Sequence, residues 1–237
     1  IMLQIIVIAL FFGFGILAAG KKAQPVADFV NGMSEVCIKI MHMIITIAPF
    51  GVFGLITPVV ATNGPDILLP LLKLILVAYL AMILHMVVVY SGMVKAIAKM
   101  GPLTFFKGQV RAMTFAFASA SSVGTLPINM ECSEKLGVRR EVSSFVLPLG
   151  ATINMDGTAI YQGVCAIFIA QVSGIDLTIG QQCVIVMTAV LSSIGTAGVP
   201  GSGMIMLAMV LQSVGLPVEG IALVAGVDRV LDMMRTV

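Results

Sequence analysis

Charged residues are scarce in this sequence, and their scarcity narrows the class of protein that it encodes. Only 10% of the residues are charged whereas 59% are apolar, and the mean hydropathy is +1.12. A water-soluble domain of this length would carry far more charge. We therefore expect an all-α integral membrane protein that lies in the lipid bilayer.

Residues typical of metal, redox and catalytic sites are also few. His42 and His85 have no acidic partner nearby, and we expect both to be packed or interfacial. The sequence contains neither a Gly-x-Ser-x-Gly motif nor a serine–histidine pairing, which are the signatures of serine hydrolases. The net charge of +2 is spread over the loops, which excludes nucleic-acid binding. The cysteines form no CxxC pair, so we interpret them as small buried apolar side chains: Cys37, Cys132, Cys165 and Cys183.

Long uncharged runs dominate the first part of the chain. Residues 1–20 carry no charge and would form a helix of about 30 Å, which matches the hydrocarbon core. This run lacks the basic start and the cleavage site of a signal peptide, so we expect the interior of a longer protein. A second span, kinked at Pro49 and Pro58, ends with residues 41–64, and a third covers residues 67–92.

The basic residues suggest how the next segment is arranged. The positive-inside rule places the clusters at residues 21–22, 95–111 and 139–140 on the cytoplasmic side. The uncharged residues 112–130 are too few to cross and return, which takes roughly forty residues. We therefore predict that residues 102–140 form a re-entrant helical hairpin with the sequence SSVGTLP at its tip.

A second hairpin of the same kind follows. Between residues 142 and 227 the only charges are acidic, as expected outside the cell. A broken span at residues 143–172, a re-entrant hairpin at residues 178–216 and a final span from residue 218 satisfy this pattern. The tips SSVGTLP and SSIGTAGVP resemble one another and enter from opposite faces. The predicted fold therefore has two oppositely oriented re-entrant hairpins and broken helices, as in an inverted repeat.

The broken span is interrupted near its middle by the sequence NMDGT, which runs from Asn154 to Thr158. An aspartate at that depth costs about 2.5 to 3.5 kcal/mol on insertion scales, so a ligand should compensate for it. Free backbone carbonyls, the Asp156 carboxylate and an amide oxygen are the hard ligands that a small alkali cation prefers. The alternative is a structural aspartate that is hydrogen-bonded within the kink.

The final segment carries both signs of charge on one helical face. Asp228 and Asp232 are four residues apart, and Arg235 follows Asp232 by three. An arginine fork suits a carboxylate and an aspartate accepts from an ammonium group, which together fit a zwitterion with an extra carboxylate. The alternative is an internal salt bridge. Arg229 should point elsewhere and be solvated or interfacial.

Four segments together resemble the glutamate/aspartate:cation symporter family, the sodium:dicarboxylate symporters that include excitatory amino acid transporters. They are ASSVGTLP, LPLGATINMDGTAIYQ, SSIGTAGVPGSG and VDRVLDMMRT, and the resemblance covers essentially the whole chain. It implies a multi-pass, homotrimeric protein of the plasma membrane, or of the inner membrane in a bacterium, that is not an enzyme. Residues 1–64 would belong to a trimerisation scaffold and residues 67–237 to a transport domain that moves like an elevator.

The resemblance also implies a substrate, an acidic amino acid or a C4 dicarboxylate, and a coupling cation, Na+ or alternatively H+. The implied substrate residues are Ser121 and Ser122 for the backbone end, Thr158 and Arg235 for the side-chain carboxylate, Asp232 and Thr236 for the amino group, and Val199 and Gly203 in the gate. The implied cation residues are Gly150, Thr152, Asn154, Met155 and Asp156, then Ser193, Ile194 and Thr196, together with Asp228.

The chain departs from the family pattern in three respects. Ala120 stands where many archaeal relatives have an arginine, the chain ends before the asparagine and acid that follow the RT dipeptide, and the early spans are absent. We therefore do not expect it to transport unaided. The alternatives are an anion channel and an intramembrane hydrolase that uses Asp156 and Asp228 or the serines of the tips. Asp-Gly-Thr in this order is not an aspartic protease signature.

Overall fold

The computed structural model describes residues 2–194 and 196–237. Over these residues the chain is built from helices joined by short turns, without a β-strand. The prediction of an all-α protein is therefore confirmed. The chain divides after Gly54 into two compact units.

The first unit contains α1 (Met2–Ala19) and a 3-10 turn (Gly20–Ala23), after which α2 (Gln24–Asn63) begins. Helix α1 lies within residues 1–20; that this segment crosses the membrane stays a prediction. Large apolar side chains of α1 are exposed, and Leu17 retains 77% of its accessible surface. Such a surface is expected to contact lipid or another apolar partner.

The second unit opens with a long helical stretch. A 3-10 turn leads into α3 (Leu68–His85), a π-helical turn (Met86–Tyr90) and α4 (Ser91–Ala96). In the described part of the chain, Pro65–Ala96 is the one helix that is long and apolar enough to cross a membrane, with a mean hydropathy of 2.6. It contains the predicted third span and extends past its end.

Two helices then form an antiparallel pair, α5 (Pro102–Ser119) and α6 (Ser122–Lys135). Gln109 donates to Ser133 and Arg111 donates to Glu131. The residue numbers increase along α5 while those of their partners in α6 decrease, as they do in an antiparallel pair. The turn forms because Ala120 adopts a left-handed conformation (φ 50°) and the Ser121 hydroxyl caps α6. Both helices lie within residues 102–140; that they form a re-entrant hairpin stays a prediction.

The predicted broken span consists of α7 (Arg140–Ile153) and α8 (Asp156–Val172), separated by Asn154 and Met155. Next come α9 (Ile179–Ser193), which starts with a Thr178 capping box, and α10 (Ser202–Ser213). These two helices pack against each other.

The final segment is also interrupted. After a 3-10 turn it contains α11 (Ile221–Ala225) and α12 (Asp228–Thr236), with Gly226 and Val227 between them. This break within the final segment was not predicted, because the sequence indicated one uninterrupted span from residue 218. It separates the apolar α11 from the charged α12.

The core of the second unit surrounds α8, which packs against α3, α9, α10 and α12. Tyr161, Cys165 and Ile169 of α8 are fully buried, as is Leu207 of α10. Because α8 is enclosed on several sides, its first turn is fixed relative to the helices that carry the polar residues.

The cysteines behave as predicted at two positions. Cys132 and Cys165 are buried, but Cys183 is exposed, so the prediction was wrong for that residue. It lies on a face of α9 that no other described helix covers. The side chains of Cys37 and His42 lie outside the described residues.

Candidate functional site

The turn of the α5–α6 pair and the turn of the α9–α10 pair meet at Gly198. We call them the first tip (residues 119–124) and the second tip (residues 194 and 196–201). The Gly198 carbonyl accepts hydrogen bonds from Val123 N and from Ser121 Oγ, each at 3.2 Å. A Cβ at Gly198 would lie 3.0 Å from the Val123 side chain and 3.1 Å from that of Ser122. The close approach of the two tips therefore requires glycine at this position.

Asp232, on α12, connects the second tip to the final helix. Its Oδ2 accepts from Gly201 N at 2.9 Å and its Oδ1 from Arg235 Nε at 2.8 Å. The Thr236 hydroxyl donates to the Asp232 backbone carbonyl at 2.7 Å. Only 3% of Asp232 is exposed, so this carboxylate depends on these donors for its stability.

Arg235 is the least satisfied charge of the site. Its side chain is 4% exposed, and its guanidinium lies over the ring of Tyr161 with Cζ 4.7 Å from the ring centroid. Nη1 and Nη2 find no hydrogen-bond partner among the described residues; the Asp228 carboxylate is 3.7 Å from Nη1, beyond hydrogen-bonding distance. A carboxylate that bound both terminal nitrogens would satisfy this fork.

A narrow cleft joins the tips to α8 and α12. Its free volume of about 10 Å³ is room for roughly one water molecule. Six of the eight predicted substrate residues line it: Ser122, Thr158, Val199, Asp232, Arg235 and Thr236. Ser121 lies beside it as the cap of α6, and a Cβ at Gly203 would overlap the Arg235 guanidinium.

The break between α7 and α8 places Asp156 against α3 and the π-helical turn. Its Oδ2 contacts His85 Nε2 at 2.8 Å and accepts from the Tyr90 hydroxyl at 2.5 Å, while Oδ1 accepts from Gly157 N at 3.1 Å. The prediction that His85 has no acidic partner was therefore wrong. The partner lies 71 residues away along the sequence and reaches His85 only through tertiary packing.

The predicted cation residues lie in four places. Gly150, Asn154, Met155 and Asp156 line a cavity of about 280 Å³ that Arg235 also borders. Thr152 lies on an exposed part of α7, where its hydroxyl donates to Leu149 O at 3.1 Å. The end of α9 carries Ser193, Ile194 and Thr196, and Asp228 lies near Arg235 on α12.

Several of these groups already have protein partners. The Gly150 carbonyl accepts from Asn154 N at 2.9 Å, and the Met155 carbonyl accepts from Thr158 N at 3.1 Å. Thr196 N donates to the Ser193 carbonyl at 3.1 Å. Among the described residues, no three His, Cys, Asp or Glu side chains form a metal-binding group. Any cation bound here would therefore depend largely on backbone carbonyls, hydroxyls and single carboxylates.

The comparisons with known proteins bear directly on this arrangement. A family model described as "Sodium:dicarboxylate symporter family" matches residues 1–237, the whole chain. The chain belongs to the sodium:dicarboxylate symporter family. Its family is one of membrane transporters, which confirms the predicted resemblance and places the protein in a membrane.

Curated members of the sodium:dicarboxylate symporter family match most of the chain. The proton/sodium-glutamate symport protein of Geobacillus stearothermophilus is 41% identical over 99% of this chain and 56% of its own length. The proton/glutamate-aspartate symporter of Escherichia coli (strain K12) is 40% identical over 99% of this chain and 54% of its own length. Excitatory amino acid transporter 3 of Mus musculus is 38% identical over 99% of this chain and 45% of its own length. The chain thus spans about half the length of these relatives.

Sequence reasoning on this family member missed several contacts of the site. Arg229 was expected to be solvated or interfacial, but it is only partly exposed and its Nη2 donates to the Ser119 carbonyl at 3.2 Å. It therefore ties α12 to the first tip. Tyr90 and Tyr161 were not considered, because a single tyrosine in an apolar run carries no pattern that distinguishes it from a core residue.

Proposed function

We propose that the protein is a secondary active symporter that carries an acidic amino acid, L-aspartate or L-glutamate, or a C4 dicarboxylate, together with sodium. The observation that supports this most strongly is the Arg235 guanidinium, which is buried, packs on the Tyr161 ring and has no hydrogen-bond partner at either terminal nitrogen among the described residues, although Asp228 lies 3.7 Å from Nη1. A buried guanidinium with free donors favours an anionic ligand. The relatives named above are described as glutamate or glutamate-aspartate symporters.

Asp232 favours an amino acid over a plain dicarboxylate. Its carboxylate lies one helical turn from Arg235 and accepts from the backbone of the second tip through Gly201 N. An ammonium group that entered the cleft could replace this backbone donor with a charged one, which is the stronger partner. Thr158 and Thr236 line the same cleft; in this proposal Thr158 joins Arg235 in binding the side-chain carboxylate, and Thr236 joins Asp232 in binding the amino group.

The cleft is too small for such a ligand as it stands, so substrate entry requires the tips to separate. The contacts at Gly198 and Gly201 attach the second tip to the first tip and to α12. We infer that the second tip and the start of α10 form the gate, with Val199 in the tip and Gly203 in α10. In this proposal both helix pairs are re-entrant hairpins, residues 67–237 move as an elevator-type transport domain, and residues 1–64 form part of a homotrimeric scaffold.

Sodium is the proposed coupling cation because the α7–α8 break supplies oxygen ligands beside a polar cavity. Gly150, Asn154, Met155 and Asp156 border that cavity, and the residues at the end of α9 would form a second site. Coupling to protons is the alternative. Two of the relatives above carry "proton" in their names, and one of these names sodium as well.

Uptake into proteoliposomes tests the proposal. The full-length protein would be supplied with labelled aspartate, glutamate or succinate under a sodium gradient in one set and a pH gradient in another. We expect sodium-driven aspartate uptake that unlabelled glutamate reduces by competition. Uptake driven only by the pH gradient would contradict the sodium assignment, and no uptake with a substrate-independent anion current would indicate a channel.

Asp232→Ala tests the assignment of the substrate site. It removes the acceptor that is proposed to bind the substrate amine, so aspartate uptake should be lost. Succinate has no amine and should be affected less. Unchanged aspartate uptake in this variant would contradict the assignment of the cleft.

A further inference from the structure

The π-helical turn Met86–Tyr90 places two donors on one carboxylate oxygen. In a regular α-helix with 3.6 residues per turn, residues five apart point about 140° away from each other. A π-turn closes its hydrogen bond between residues i and i+5, so such residues return to nearly the same face. His85 and Tyr90 are five apart, and their rings lie edge to face with centroids 5.3 Å apart.

Both side chains reach the Oδ2 atom of Asp156. The distances are 2.8 Å from His85 Nε2 and 2.5 Å from the Tyr90 hydroxyl. An ionised carboxylate only accepts hydrogen bonds, so Nε2 carries the hydrogen. Because Oδ1 also accepts from Gly157 N at 3.1 Å, the carboxylate has donors on both oxygens and its plane is fixed.

These three contacts leave acceptor capacity on the Asp156 carboxylate. A carboxylate has about four lone-pair positions, and three donors occupy its oxygens here. His85, Tyr90 and Asp156 all line the cavity of about 280 Å³, together with Asn129, Asn154 and Thr125. The carboxylate therefore borders a cavity that is lined by both polar and apolar side chains and is large enough for a cation and its waters.

We propose that His85 and Tyr90 are positioning residues that orient the Asp156 carboxylate for the coupling cation and so determine the sodium affinity of this site. The inference rests on the proposed function for its cation. Neither residue touches the cleft beside Arg235, so their effect should appear in sodium dependence and not in substrate affinity. Partners that orient a metal ligand typically change metal affinity by roughly 10- to 100-fold when they are removed.

The test is a titration of melting temperature with sodium chloride against choline chloride, on the purified full-length protein. Ligand binding stabilises the folded state by RT ln(1 + c/Kd) at a free ligand concentration c. A fit of the melting temperature against sodium concentration therefore gives an apparent dissociation constant, which we call the sodium midpoint, without transport. We expect His85→Leu and Tyr90→Phe to raise that midpoint about 10-fold or more. His85→Gln retains a side-chain N–H donor and should remain near the wild-type midpoint.

Tyr79→Phe is the matched control. Tyr79 lies on the same helix, but its hydroxyl donates to the Val230 carbonyl at 2.7 Å and not to Asp156. The inference would be overturned by wild-type sodium midpoints in both His85→Leu and Tyr90→Phe. It would also be overturned if Tyr79→Phe shifted the midpoint equally, or if sodium did not specifically stabilise the wild type.

Uptake assays on the same variants separate this inference from the proposed function. A raised sodium half-saturation with an unchanged aspartate KM at saturating sodium would support a positioning role. A wild-type protein that shows no uptake but retains a sodium midpoint sensitive to Tyr90→Phe would contradict the proposed function and support the inference. Sodium-driven uptake by the wild type, with wild-type sodium midpoints in the variants, would support the proposed function and contradict the inference.

Discussion

At the scale of single residues, the buried charges of α12 are paired unequally. Asp232 has a donor on each carboxylate oxygen, whereas Arg235 donates only through Nε. Tyr161 covers one face of the guanidinium and Gly203 lies against its terminal nitrogens. The plane of the free fork is therefore fixed by packing before any ligand arrives, which lowers the ordering cost of binding.

Gly203→Ala tests the importance of this plane. The added methyl group would overlap the Arg235 guanidinium, so the fork must turn away from the cleft. Because hydrogen bonds to charged groups contribute about 1.5 to 3 kcal/mol, the aspartate KM should rise about 10-fold or more. Uptake kinetics measure this effect.

Gly163→Ala is the control for that experiment, because a Cβ at Gly163 would meet nothing within 4 Å. It should leave the aspartate KM unchanged. A wild-type KM in Gly203→Ala would show that the Arg235 plane is not needed for substrate binding.

Which residues could be predicted from the sequence depended on how far apart the partners lie along it. Asp232 and Arg235 are three residues apart, so helical periodicity alone placed them on one face. The contacts of Asp156 with His85 and of Asp232 with Gly201 join residues 71 and 31 apart. Such contacts arise from tertiary packing and from a π-turn, and neither leaves a periodic pattern.

At the scale of the helices, the approach of α8 to α12 determines the geometry of the site. Gly157 lies in the first turn of α8, where a Cβ would be 2.6 Å from the Arg235 carbonyl oxygen and 3.2 Å from its Cα. Backbone atoms of a packed helix cannot move away at low cost. Glycine at this position therefore lets the NMDGT break pack directly on the helix that carries the charged residues.

Gly157→Ala should separate these two helices. Overpacking of this kind typically costs about 1 to 3 kcal/mol, so we expect a lower melting temperature in detergent than for wild type. Gly163→Ala, on the same helix, should melt at the wild-type temperature or slightly above it. Equal melting temperatures for the two variants would contradict the close packing of α8 on α12.

The helices were easier to predict than their interruptions. The spacing of charges and the proline- and glycine-containing tips predicted the two helix pairs, and NMDGT predicted the break between α7 and α8. The break at Gly226 and Val227 was missed, because AGVD contains no proline and continues an apolar run. The π-turn was missed for a similar reason: a run of three valines fits either helix type.

At the scale of the whole molecule, apolar surface dominates what the described residues expose. Leu80 of α3 is 67% exposed and Ile179 of α9 is 81% exposed. Large side chains of this kind are rarely left in water over extended areas. This surface, together with the family, explains why the sequence contains so little charge.

Membrane fractionation tests this view. We expect the full-length protein to remain in the membrane pellet after washing with alkaline carbonate, because its apolar surface contacts lipid. A peripheral protein in the same preparation should be released and serves as the control. Recovery of the protein in the supernatant would contradict a bilayer-embedded fold.

The contacts between the tips also have a consequence for apparent affinity. Three hydrogen bonds, two at the Gly198 carbonyl and one from Gly201 N, must break before the cleft widens. At about 0.5 to 1.5 kcal/mol for each of the first two and about 1.5 to 3 kcal/mol for the bond to the Asp232 carboxylate, they would reduce the population of the open form to between roughly 1% and below 0.01% of the molecules. Since apparent affinity scales with the fraction of molecules that can bind, a substrate of the proposed symporter, measured at equilibrium, would seem to bind about 100- to 10,000-fold more weakly than its proposed contacts with Arg235 and Asp232 allow.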